Sequence, residues 1–384
     1  MLIIVIFSLI IWIYLVLGRG NFWLCNQYLE PLSLDSFPNI TVIIPARNEA
    51  ESISSCLNSL LTQDYQGTLH IILVDDQSED NTVEIAEKVA INSNAKKQLT
   101  IIKGKPLPSG WSGKLWAMSQ GIAWAKEYFK TDYFLFTDAD IKHSENNISN
   151  LMAKAQKNNL DLVSLMVKLR CENFWEKLLI PAFIFFFQKL YPFPLVNNSQ
   201  QKIAAAAGGC ILIRESALNR IGGIEALKEA LIDDCTLARL VKETLPPNHG
   251  IWLGLTQDTI SLRTYDRLSP IWNMVARTAF TQLNYSLWLL IGTVIGMIIT
   301  YLIAPVALCW GLITLNLGLI ILAIVILLLM TLTYYPTIKL YQLPFFYSFL
   351  LPFIALLYNL MTIDSALRHL KGKGGQWKGR VYQG

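Results

Sequence analysis

The sequence predicts an α/β fold: a mainly parallel sheet with helices on both faces, framed by N- and C-terminal transmembrane helices. Three observations carry this. Between residue 40 and about residue 170, short β-rich runs alternate with longer stretches of helical periodicity. The strand candidates are continuously apolar, as in sheets covered on both faces. The 384-residue chain is 53% hydrophobic and only 16% charged, with a mean hydropathy of +0.39, yet residues 40–280 hold most of the charge. The apolar excess therefore sits at the two ends, as in a polar domain held between membrane segments.

The N-terminal "MLIIVIFSLIIWIYLVLG" is apolar for about 17 residues before Arg19. A membrane span needs roughly 20 apolar residues, with a lower limit near 17. It has no basic stretch ahead of it and no small-residue cleavage site after it, so residues 1–20 read as an uncleaved anchor. Arg19 favours a cytoplasmic side for the domain beyond it. "NITVIIPA", "LHIILVDD", "QLTIIKG" and "YFLFTDAD" are then four strands. Between and after them, "EAESISSCLNSLLTQ", "NTVEIAEKVAINSN", "GKLWAMSQGIAWAKEYF" and "NNISNLMAKAQKN" are helices. Strands alternating with helices of this length imply right-handed crossovers and a parallel sheet. The pattern changes after Ser164. Residues 174–196, "FWEKLLIPAFIFFFQKLYPFPLV", are aromatic and apolar but broken by lysines and three prolines. They read as a segment lying in the membrane interface, with a buried core helix as the alternative. "AAAAGGCILI" is a strand approached by a small-residue loop, and "EALIDDCTLARLVKE" a helix. "GIWLGL" and "TISLRTY" are two short strands, and "SPIWNMVARTAFTQLNY" an amphipathic helix. Residues 286–333 fit two spans and 343–363 a third. The division is thus an anchor at 1–20, a catalytic domain at 38–282, membrane helices at 283–366 and a basic cytoplasmic tail at 367–384. One anchor plus three spans would leave that tail outside, so either one candidate is re-entrant or interfacial, or the N-terminal helix does not cross.

Six cysteines show no Cys-x-x-Cys pair and no metal-ligand spacing with the four histidines, so they read as reduced structural residues of a cytoplasmic domain. A net charge of +4 without a basic cluster in the central domain excludes nucleic acid as a partner.

The chemistry gathers at strand ends, where ligands bind in such sheets. "FLFTDADIK" drives an apolar strand into Asp138 and Asp140. Burying a charge is costly unless it is paired or bound to metal. Hard cations such as Mg²⁺ bind through one or two carboxylates plus substrate phosphates, so this pair suits a metal-diphosphate grip. Taken alone it is equally a turn former. Asp75 and Asp76 end the second strand, placed either to accept hydrogen bonds from a nucleotide's base or ribose or to cap the next helix. Asp233 and Asp234 open a helix. They suit a base beside the metal site, with Asp234 as the proton acceptor, or simply a favourable acidic first turn. Lys114 begins a helix whose N-terminus favours phosphate. Gly208 and Gly209 allow backbone to approach a bulky ligand. Trp272, Phe280, Arg263, Arg267 and Arg277, just before the spans, face lipid headgroups or the diphosphate.

As an ordered set, "VIIPARNEAESI", "VDDQSEDNT", "GKLWAMSQGI", "TDAD", "AAGGCILIRESALNRIGG" and "IDDCTLARLVK" resemble the family 2 inverting glycosyltransferases with the GT-A (Rossmann-like) fold, over roughly residues 40–280. "RTYDRLSPIWNMVARTAFTQLNYS" and "WKGRVY" are most similar to hopanoid-biosynthesis-associated membrane glycosyltransferases, and ceramide glucosyltransferases and carotenoid-modifying relatives share the layout. The resemblance implies a nucleotide-sugar donor, commonly a UDP-sugar, and Mg²⁺ or Mn²⁺. It places Pro45, Arg47, Glu49, Asp75, Asp76, Lys114 and Asp138 around the donor. Asp138 and Asp140 fall to the metal, Asp234 with Asp233 to catalysis, and Gly208, Gly209 and Arg277 to the acceptor or diphosphate side. Where the family has Glu-Asp, this chain has Asp233-Asp234, which keeps the carboxylate. The Gln-x-x-Arg-Trp motif of processive synthases is missing, with only Arg277 at a comparable place. The expected activity is therefore transfer of one sugar to a hydroxyl of a membrane lipid, at the inner or plasma membrane. The rival readings are a processive polysaccharide synthase and a non-catalytic scaffold that binds nucleotide-sugar.

Overall fold

The computed structural model describes residues 1–93, 98–371, 376–377 and 380–381, with no side chains beyond 371. Half of the tail expected to be basic, nine residues of 367–384, therefore lies outside the described residues. Eight strands form one sheet in the order β3-β2-β1-β4-β7-β6-β8-β5. They are β1 (Ile40–Ala46), β2 (Leu69–Asp75), β3 (Leu99–Lys103), β4 (Tyr133–Thr137), β5 (Ile141–Lys142), β6 (Leu160–Lys168), β7 (Cys210–Arg214) and β8 (Gly250–Ser261). β1, β2, β3 and β4 are mutually parallel, β7 is antiparallel to both β4 and β6, and β6 runs parallel to β8. The carboxyl ends of six strands thus share one rim with the start of β7. All seven residues of β1 are buried, as in a central strand covered on both faces, and its one hydroxyl, Thr41, pairs with Thr131 at 2.7 Å.

Two readings of the sequence are corrected here. "GIWLGL" and "TISLRTY" are not two strands: Gly250–Ser261 is one, and its polar middle, Gln257 and Asp258, is exposed where its register with β6 shifts near Met166 and Lys168. β6 carried no strand expectation at all, although Leu160–Val167 is buried on both faces.

Residues 174–190 form a packed helix, the core-helix alternative for that segment. Asn173 accepts the amide of Glu176 at 3.0 Å, and the Glu176 carboxylate returns to the Asn173 amide at 3.2 Å, which closes the first turn. Its interior is buried at residues 178–182 and at Ile184 and Phe185, Pro181 included. Two of the polar residues that interrupt it have remote partners. Gln188 donates to the Cys25 sulfur, and Lys189 donates to the Tyr301 hydroxyl at 2.9 Å.

Three helices are long and apolar enough to cross a membrane: Leu287–Ile313, Leu317–Leu340 and Phe345–Leu370. The first contains a π-turn at Ile298–Leu302. Pro305 follows it, and a proline has no N–H to give residue 301 and crowds that carbonyl. Leu2–Leu17 is shorter, at 16 residues or about 24 Å. It packs along Leu317–Leu340, and the Trp12 indole donates to the Thr300 carbonyl at 2.8 Å.

The path of the last helix is set by its contacts. The chain leaves the sheet domain near 286 and turns back at 314–316. By 337–341 it has returned, where Thr337 meets Cys25 and Tyr341 is buried. Phe345 then packs on Tyr335, with ring centroids 5.0 Å apart. The far end of this helix meets the point of departure. Asp364 accepts from the Trp272 indole at 2.7 Å, Ser365 from the Phe280 amide at 3.0 Å, and His369 stacks on Tyr285. Both ends of Phe345–Leu370 lie beside the sheet domain. One hydrophobic core runs from Phe134 and Ile213 through Leu179 and Phe185 to Tyr334 and Met361, so sheet and apolar helices are packed as one body.

Candidate active site

The rim gathers most of the residues singled out from the sequence. Lys114 occupies the first turn of the helix Gly113–Tyr128, where the Ser112 hydroxyl accepts the Leu115 amide at 3.2 Å. Its ammonium donates to Asp138, just past β4, at 2.7 Å. Asp140 precedes β5, and its own carbonyl accepts the Leu262 amide at 2.8 Å, which ties it to the end of β8. That tie brings Arg263 to the Asp140 carboxylate at 3.2 Å and to Glu49 at 3.7 Å. Asp234, in the first turn of the helix Asp233–Glu243, accepts the Gly208 amide at 2.9 Å and the Cys235 amide at 2.7 Å.

Gly208 has a reason to be glycine. A methyl group there would sit 3.2 Å from the Lys114 nitrogen and 3.3 Å from a carboxylate oxygen of Asp234. Lys114 therefore lies between Asp138 and Asp234, with the glycine backbone against both. At Gly209 the same methyl would meet Val167 at 3.0 Å, so that glycine serves packing. Its carbonyl accepts from the Thr137 hydroxyl at 2.8 Å, and Thr137 pairs in turn with His143 at 2.9 Å. Burial drives the His143 pKa down to about 3, and the neutral ring, also bonded to Asn147, holds this loop from behind.

These groups line a cavity of about 310 Å³ with two unlike walls. One wall is charged: Glu49, Lys114, Asp138, Asp140, Asp233, Asp234, Arg263 and Arg277. The other is apolar: Met166 in β6 and Leu169 just after it, Phe183 and Phe187 from the helix 174–190, and Met274. Burial and the neighbouring Asp233 push the Asp234 pKa up to about 6, against the pull of Lys114. Burial, then Asp138, likewise raises Asp140, and Arg263 opposes them. Burial disfavours the Lys114 charge, yet Asp138 and Asp233 lift its pKa above the ordinary lysine value.

Pro45 and Glu49 line this cavity, whereas Arg47, Asp75 and Asp76 sit behind it at the ends of β1 and β2. Arg47 donates to the carbonyls of Asp76 and Gln77 at 2.6 and 2.9 Å, strapping two strand ends together. Asp75 accepts the Ser78 amide at 3.2 Å, a local turn bond. Of the residues expected at headgroups or diphosphate, Arg263 and Arg277 reach the cavity, while Phe280 is buried and Trp272 is bonded to Asp364. Reading the sequence did not attach Arg263 to Asp140, nor Phe183, Phe187 and Met274 to the site. The available signal for Arg263 was its place two residues beyond a strand that ends at the ligand rim.

Among the described residues no group of three or more His, Cys, Asp or Glu side chains makes a ready metal cage. Mg²⁺ and Mn²⁺ do not need one: they keep waters and substrate phosphates and take one or two carboxylates. Two aspartates one residue apart on a cavity wall, with lysine and arginine alongside for phosphate, fit such an ion.

Comparison with known proteins agrees with this geometry. Residues 41–222 match the family model described as glycosyl transferase family 2. The fold is GT-A-like, and the match supports a family 2 assignment for this domain. Superposition on a mannosyltransferase of Pyrobaculum calidifontis, solved in complex with GDP-Man and Mn²⁺, gives a TM-score of 0.58. It covers 96% of this chain and 98% of that one at 16% identity, a likeness of fold. Among sequence relatives, an uncharacterised protein of Methanocaldococcus jannaschii is 28% identical over 158 residues, 39% of this chain and 65% of the relative. The glycosyltransferase GlyG of Streptococcus pneumoniae is 31% identical over 124 residues, 32% of this chain and 37% of the relative. The chain thus matches less than two thirds of either relative's length.

Proposed function

We propose that the protein is a membrane-anchored inverting glycosyltransferase that moves one sugar from a nucleotide-sugar, a UDP-sugar first, to a hydroxyl of a membrane lipid. The observation that carries this reading is the two-walled cavity. Charged groups suited to a diphosphate face an apolar wall of Leu169, Phe183, Phe187 and Met274, and the helix behind that wall packs on the apolar helices.

In this reading Asp138 and Asp140 hold Mg²⁺ or Mn²⁺, which when bound neutralises charge on the leaving diphosphate. Lys114 and Arg277 bind diphosphate oxygens and orient the donor. Asp234 accepts the proton of the acceptor hydroxyl, which attacks the anomeric carbon opposite the departing nucleoside diphosphate. The Gly208 and Cys235 amides hold its carboxylate in place. Asp233 raises its proton affinity towards the working pH. The apolar wall seats the lipid and excludes water from the competing hydrolysis. The acceptor to test first is a hopanoid-type lipid, because the segments around Arg277 and in the tail resemble those of hopanoid-associated glycosyltransferases.

We further propose that residues 38–282 face the cytoplasm with the tail on the same side. Leu2–Leu17, Leu287–Ile313 and Leu317–Leu340 cross, and Phe345–Leu370 begins and ends beside the domain. This is the re-entrant or interfacial solution of the span count.

The test is nucleoside diphosphate release by the purified full chain, with UDP- and GDP-sugars, Mg²⁺ or Mn²⁺, and total membrane lipid. Expected is lipid-dependent release, lost in Asp140→Ala, with a lipid product heavier by one sugar. Absence of release with every donor overturns the proposal.

A further inference from the structure

The two metal-site aspartates are each paired with a cation, and each cation has a further carboxylate nearby. Lys114 bonds Asp138 at 2.7 Å, and both its ammonium and the Asp234 carboxylate lie against Gly208. Arg263 bonds Asp140 at 3.2 Å, and its next carboxylate is Glu49 at 3.7 Å. Its side chain is 42% exposed and lines the cavity. Its backbone is pinned on both sides: the Leu262 amide bonds the Asp140 carbonyl, and the Tyr265 amide bonds the buried Glu176 at 2.8 Å. The guanidinium can therefore rotate while the loop stays still.

We infer that Arg263 and a divalent cation compete for Asp140, and that the displaced guanidinium moves to the donor's diphosphate, so that Arg263 couples the binding of metal to that of nucleotide. This rests on the reading of Asp138 and Asp140 as the metal site. Charge balance supplies the logic. A dication arriving alone meets Asp138 and Asp140 already neutralised, and it drives Arg263 off Asp140 with only Glu49, at 3.7 Å, left to receive it. A dication arriving with a diphosphate supplies a further partner, since the planar fork of guanidinium N–H donors matches phosphate oxygens. Arg263 thus opposes metal without nucleotide and favours the two together, a coupling between ligands that is reciprocal.

The experiment is Mn²⁺ titration of the full-length protein, with free Mn²⁺ followed by electron paramagnetic resonance, alone and with UDP or GDP. In Arg263→Gln, Mn²⁺ alone should bind about fivefold more tightly than in the wild type, the low end of typical couplings. The enhancement by nucleotide should shrink by at least as much. Arg263→Lys, which keeps a charge, should fall between. Equal or weaker Mn²⁺ binding by Arg263→Gln without nucleotide overturns the inference. Wild-type protein that binds no Mn²⁺ even with either nucleotide overturns the metal reading itself, a distinct result.

Discussion

Replacing Asp234 by asparagine separates the carboxylate's chemistry from its structural bonds. Its two oxygens accept the Gly208 amide at 2.9 Å and the Cys235 amide at 2.7 Å. An asparagine keeps one acceptor and turns an NH₂ group towards the other N–H. That conflict costs about 1–3 kcal/mol of stability, which a thermal melt in detergent reads directly. Removing a general base costs a further 10²- to 10⁴-fold in rate, roughly 3–5.5 kcal/mol of barrier. The chemical loss exceeds the structural one and falls on a different quantity. Steady-state transfer to lipid should show kcat down at least about 100-fold, while nucleotide-sugar binding changes less than about tenfold. Retention of more than about a tenth of wild-type kcat would refute a base role for Asp234. Parallel loss of transfer and donor binding would make Asp234 a loop brace instead.

Other outcomes are expected from the same geometry. Because a raised carboxylate pKa leaves the group protonated below it, lipid transfer should fall as pH drops through about 6 and be flat above. Asp233→Asn removes the neighbouring charge and should move that limb to lower pH in a kcat/KM profile. Phe183→Ser opens the apolar wall, so the apparent KM for lipid should rise about tenfold while donor binding holds; an unchanged KM would remove Phe183 from the acceptor side. At Gly121, a methyl would lie 2.9 Å from Ile43 and 3.0 Å from Val74, so Gly121→Ala should lower stability by about 1–3 kcal/mol in a melt.

The parallel half of the sheet was legible because each β-rich run from Ile40 to Thr137 is continuously apolar and ends in polar residues. Those endings also announced Asp138, Asp140 and the Lys114 helix before any geometry was known. What stayed hidden depends on partners remote in sequence. Gln188 and Lys189 read as interruptions because Cys25 and Tyr301 lie more than 100 residues away. β8 read as two strands because Gln257 and Asp258 look like a turn, although a register shift carries the strand through them. The pairing of Arg263 with Asp140 needs the antiparallel match of Ile141 with Ser261, a two-residue strand that no periodicity reveals.

The helix 174–190 turns Phe183 and Phe187 towards the cavity, while Phe185 and Phe186 meet Tyr334 and Tyr358 of the apolar helices. One helix thus lines the cavity on one side and packs on the apolar helices on the other. A fragment trimmed to residues 38–282 would not be a smaller, water-soluble enzyme. It would carry Phe185, Leu179 and Ile271 into solvent and lose the brace that Asp364 and Ser365 give the segment bearing Met274 and Arg277. The apolar helices are accordingly part of the unit that folds, and a solution assay should begin from the whole chain.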